Sequence, residues 1–110
     1  MTDRELLEAA AKAAGIEGSY QKYIDSDRNC GIVVYGDITV SYWNPLTDDG
    51  DALRLLTNLN LQIQIVPGWA VAYVGSVASK QFSERRHDGD PYAATRRAIV
   101  RAAAEIGANS

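Results

Sequence analysis

Apolar residues near the start of the chain recur at Leu6, Leu7, Ala10 and Ala14, the spacing of one helix face. Thr2 and Glu5 have the capping-box arrangement, and Gly15 is a natural stop, so a helix is predicted over 3–14. The period then lapses. Residues 16–29 carry Tyr20, Tyr23 and Ile24 among polar positions and read as a loop with a short helical turn. Alternation returns at 31–35 and 38–43, which predicts an antiparallel hairpin with Gly36-Asp37 as its tight turn.

Pro45 cannot donate to a ladder and holds Asn44 away from helical geometry, so the strand must end at Trp43. A second helix is predicted over 48–58, with Thr47 as its N-cap and Ala52, Leu55, Leu56 and Leu59 on its apolar side. Asn60 is its stop. Residues 61–66 alternate cleanly, Pro67-Gly68 turns the chain, and 69–74 returns as the second hairpin arm. A weaker strand is predicted over 79–83, followed by a charged loop to Gly89.

The third helix has Asp90 as N-cap and Pro91 at its first position. Thr95, Ala98, Ile99, Ala102, Ala103 and Ile106 line one face, Arg97 and Arg101 the opposite one, and Gly107 is the expected end. The pattern therefore predicts one α+β domain. Its order is α-β-β-α-β-β-(β)-α, with a mostly antiparallel sheet of about four to five strands packed with three helices.

At 110 residues the chain is long enough for a modest core. A single cysteine, Cys30, leaves no internal disulfide to form, which fits a reducing compartment. The polar N-terminus and the lack of a long apolar run predict a cytoplasmic protein with no membrane association. The formal charge of −3 disfavours a general polyanion binder. Charge is uneven, however: residues 1–78 sum to −5 and residues 79–110 to +2, so any basic surface belongs to the C-terminal third.

The stretch Trp43-Asn44-Pro45-Leu46-Thr47-Asp48-Asp49-Gly50-Asp51-Ala52-Leu53-Arg54-Leu55 resembles a motif in small proteins of unknown function encoded by tailed phages and prophages. Residues 5–16 are similar to their opening helix and residues 90–103 to their closing one. The layout is also similar to the phage ABA-sandwich domain. That resemblance implies helices on both sides of a central sheet. It implies no catalytic residues.

Candidate chemistry is sparse. Asp48, Asp49 and Asp51 match no EF-hand or His-carboxylate spacing and are better explained by the start of a helix. His87, the only histidine, sits in a charged loop beside Asp88, where solvation is the default. Cys30 shows no neighbouring base and reads as a small buried hydrophobe. Trp43 reads as core. Trp69, Tyr73 and Tyr92 are candidate anchors for a partner.

The best functional cluster is basic: Arg85, Arg86, Arg96, Arg97 and Arg101, with Lys80. From Thr47 onward the element order matches the double-stranded-RNA-binding domain, a weak topological likeness, but Asp90 stands where phosphate would approach. The expected interaction surface is Trp69, Arg85, Arg86, His87, Arg97 and Arg101. The expected role is a non-enzymatic accessory or protein-interaction protein of a phage or prophage. Its partner is expected to be a host or phage protein, with a homo-oligomer also allowed. Nucleic-acid binding is the alternative, and no cofactor or metal is expected.

Overall fold

In the computed structural model, residues 2–22, 30–36, 40–74, 80–85 and 90–109 are described. Among these residues three helices and six strands are formed: α1 (Asp3–Ala14), β1 (Ser19–Lys22), β2 (Cys30–Tyr35), β3 (Val40–Trp43), α2 (Asp49–Asn58), β4 (Gln62–Val66), β5 (Trp69–Val74), β6 (Lys80–Arg85) and α3 (Pro91–Ala108). The class is α+β and every strand pair is antiparallel. Instead of one sheet there are two, each of three strands, in the orders β1-β2-β3 and β4-β5-β6.

The extra strand is β1, where a loop with a helical turn was expected. Ser19–Lys22 is polar and carries one anchor, Tyr20, which pairs opposite Ile32. A sheet-edge strand with so little buried surface leaves no periodic signal. The expected turn at Gly36-Asp37 falls in part on residues outside the description; the register pairs Tyr35 with Val40. The last strand runs to Arg85, two residues beyond expectation.

The helices lie between the sheets. Leu6, Leu7, Ala10 and Ala11 of α1 pack with Ile32 and Trp43 of the first sheet and with Ile99, Val100, Ala103 and Ala104 of α3. Ala98 and Ala102 of α3 meet Ala70 and Ala72 of the second sheet. Leu61 and Ile63 join the two clusters. This layering is the inverse of a central sheet covered on both sides. It also buries α3 on more than the single face expected, because α1 takes a second side.

Several caps follow the sequence. Thr2 and Glu5 form both arms of the capping box, and Gly15 is the left-handed C-cap of α1. Asp90 caps α3 by accepting from the Ala93 amide at 3.0 Å. Two other expectations fail. Gly107 does not end α3; it is buried inside it, against the backbone of α1. The N-cap of α2 is Asp48, whose carboxylate accepts from the Asp51 amide at 2.8 Å, while Thr47 donates its hydroxyl to the Asn44 carbonyl. Asp48→Ala should therefore cost about 1 kcal/mol and Thr47→Ala clearly less. Urea melts of both variants would check this; the reverse ranking would return the cap to Thr47.

Candidate functional site

The acidic turn after β3 is built around Asn44, which is buried. Its backbone amide donates to Asp51 Oδ2 and its side-chain amide donates to the Cys30 carbonyl, both at 3.0 Å. Its Oδ1 accepts from the Leu46 amide, and its carbonyl accepts from the amides of Thr47 and Asp48. One residue thus ties β2, the Asn-Pro turn and α2 together, its side chain holding β2 and the turn and its backbone amide holding α2. The three aspartates are taken up by structural partners. Asp48 caps α2 and shares Arg54 with Asp51, Asp51 also holds the Asn44 amide, and Asp49 pairs with Arg96 at 2.6 Å. Among the described residues, no group of three His, Cys, Asp or Glu side chains is placed to hold a metal ion.

The arginines of α3 are also engaged. Arg96, only 13% exposed, donates from Nε to the Leu46 carbonyl at 2.8 Å and pairs with Asp49 and Asp90. Arg97 pairs with Asp3 of α1 at 2.9 Å and with Glu84 of β6 at 3.5 Å. Arg101 pairs with Glu84, donates to the Ser83 carbonyl at 3.1 Å and lies over the Phe82 ring. Arg97 and Arg101 were expected on a solvated face turned away from the sheet. They instead clamp α3 to β6 and α1, because Glu84 points inward on the strand next to the helix. Glu84 is the residue that sequence reading missed, since it falls where a loop was expected.

Trp69 and Arg85 lie elsewhere. Pairing sets Trp69 opposite Arg85 on one side and opposite Val66 on the other. Alternation puts these three on the outer face of the second sheet, with Val71, Tyr73, Gln62, Gln64, Gln81 and Ser83. Among the described residues no acidic side chain stands on that face. Trp69 is 46% exposed, and Tyr73 donates its hydroxyl to Gln64 Oε1 at 2.8 Å. The structure therefore divides the expected surface. Trp69 and Arg85 share the outer face, Arg97 and Arg101 share an ion-paired clamp beside α3, and Arg86 and His87 lie outside the described residues, as does the Lys80 side chain.

Comparison with family models, curated proteins and solved structures finds no match. The chemistry of the site therefore rests on its own geometry.

Cys30 is only partly buried and contacts the Tyr20 hydroxyl at 3.1 Å. That hydrogen bond, and then burial, push the Tyr20 hydroxyl up to about 12. The folded state holds this proton more tightly than the unfolded chain, which releases it near pH 10. The associated stability is thus present below about pH 10 and is lost as pH rises towards 12. Tyrosinate absorbance should show a late-titrating component, and Cys30→Ala should move it to lower pH without removing what burial adds. A titration unchanged in Cys30→Ala would refute the contact.

Proposed function

We propose that this chain is a non-enzymatic interaction protein that docks a protein partner on the outer face of its second sheet, centred on Trp69 and Arg85. The observation that carries the reading is the make-up of that face. Among the described residues it carries an exposed indole, a cross-strand arginine, three glutamine amides and no acid. Tryptophan and arginine are the side chains that most often dominate protein interfaces. The resemblance of the Trp43–Leu55 motif to phage and prophage proteins gives the context: an accessory protein acting in the cytoplasm of a bacterial host. No helix among the described residues is long and apolar enough to cross a membrane, which fits that context.

A duplex-binding role using Arg96, Arg97 and Arg101 is disfavoured by their carboxylate partners. A phosphate contact by any of these three would have to displace Asp3, Asp49, Glu84 or Asp90. Fluorescence anisotropy with short labelled DNA and RNA duplexes should show no appreciable binding at physiological salt. Tight binding that falls steeply with salt and disappears in Arg97→Ala/Arg101→Ala would replace the protein-docking reading. Affinity capture from host lysate, with and without nuclease, tests the leading reading. A protein retained after nuclease and lost in Trp69→Ala and Arg85→Glu supports it. Recovery that depends on nucleic acid refutes it.

A further inference from the structure

Strand β4 ends the second sheet, and among the described residues no strand pairs with its outer edge. Natural edge strands are blunted by charge, proline or a bulge, since their unpaired backbone groups invite another strand. The opposite edge, β6, carries Lys80, Glu84 and Arg85. Strand β4, Gln62-Ile63-Gln64-Ile65-Val66, carries no charge, and residues 55–79 contain no Asp, Glu, Lys, Arg or His. In a chain of net charge −3, such an uncharged strand edge lets two copies meet without like-charge repulsion along it.

The apolar surroundings point the same way. Beside the edge lies an open groove of about 330 Å³, lined mainly by Leu53 and Leu56 of α2, Ile63 and Ile65 of β4, and Tyr92 of α3, with the mutually paired Asp49 and Arg96 also in its wall. Leu53, Ile65 and Tyr92 are each about half exposed or more. A groove that runs along an unpaired strand is filled when that strand gains a neighbour.

The backbone decides which neighbour fits. Pro67-Gly68 is a two-residue turn, so Val66 and Trp69 form a hydrogen-bonded pair, and alternation makes Gln64–Val71 and Gln62–Tyr73 hydrogen-bonded too. Ile63 and Ile65 therefore aim their amide and carbonyl groups at the free edge. Ile63-Gln64-Ile65 is symmetric about Gln64. An antiparallel second copy placed with Gln64 on the two-fold axis sets each Ile63 opposite the other copy's Ile65. All of these free groups are then satisfied, apolar faces apolar, and the contact closes as an isologous dimer. We infer that the chain forms a two-fold homodimer through β4, making one continuous six-stranded sheet with a Trp69 on each half of its outer face.

Sedimentation equilibrium from micromolar to millimolar concentration should show a monomer–dimer equilibrium. Gln64→Lys sets two like charges across the axis and should weaken the dimer about a hundredfold. Its thermal melt at a concentration where both proteins are monomeric should match the parent. Gln64→Cys places two thiols at a non-hydrogen-bonded pair, about 4.5 Å apart at Cα, within disulfide reach. It should cross-link between copies under mild oxidation far faster than Thr57→Cys on the exposed side of α2. A monomer at every concentration overturns the inference. So does a dimer indifferent to Gln64→Lys, or a Gln64→Cys protein that cross-links no faster than Thr57→Cys. Should Gln64→Lys fail to fold, the cross-linking comparison decides alone.

Discussion

Gly107→Ala is expected to destabilise the protein by about 3 kcal/mol, the top of the usual range for overpacking. Helix propensity alone gives the opposite sign, since alanine is better than glycine inside a helix by about 1 kcal/mol. Packing wins because of what a methyl group would meet. A Cβ at Gly107 would lie 1.8 Å from the Ala9 carbonyl oxygen and 2.7 Å from its carbon. These are backbone atoms of α1, which cannot rotate away as a side-chain tip would. Relief requires α1 and α3 to separate, and their shared layer of Leu6, Leu7, Ala10, Ala103 and Ala104 would open with them. A guanidinium melt should show a lower midpoint with an unchanged slope. A variant as stable as the parent would mean that the two helices do not approach so closely.

Trp43→Ala should cost about 3–5 kcal/mol, the range for truncating a large buried aromatic. Trp43 is 9% exposed, closes β3 opposite Ile32, and packs into the cluster shared by α1, α2 and α3. Its neighbourhood cannot easily collapse onto the space. Gly31, opposite its backbone, already has φ 137°, and a Cβ there would lie 2.5 Å from the Trp43 carbonyl oxygen. Urea melts measure the loss, and fluorescence gives an independent check. Trp69→Phe should leave the blue-shifted emission of a buried indole, and Trp43→Phe the redder emission of the exposed Trp69. Loss of less than about 1 kcal/mol in Trp43→Ala would move this ring to the surface.

The charged side chains show how local reading goes astray. Asp48, Asp49 and Asp51 resemble a cluster in sequence, yet Asp49 turns to Arg96 while Asp48 and Asp51 share Arg54 and hold the start of α2. Arg97 and Arg101 lie one helical turn apart and were read as solvated. Glu84, more than ten residues away, ion-pairs with both. The outer-face pairing of Trp69 with Arg85 was equally hidden, because it depends on the register between β5 and β6. Tyr20 and Cys30 are brought together by the pairing of β1 with β2, which no periodicity announced.

By itself, the sequence determined the three helices, the two hairpins and most of the caps. These depend on residues a few positions apart: Thr2 with Glu5, Asp90 with Ala93, and Pro67-Gly68 between alternating runs. Periodicity and capping are short-range physics, so they can be read along the chain. Only the tertiary structure decided that the strands divide into two sheets with α1 and α3 between them, that Gly107 is a contact and not a stop, and that Arg96, Arg97 and Arg101 are ion-paired. Each of these turns on which surfaces meet across long separations in sequence. Short-range pattern says that a face is apolar or charged, but burial and pairing depend on what the folded chain sets against it.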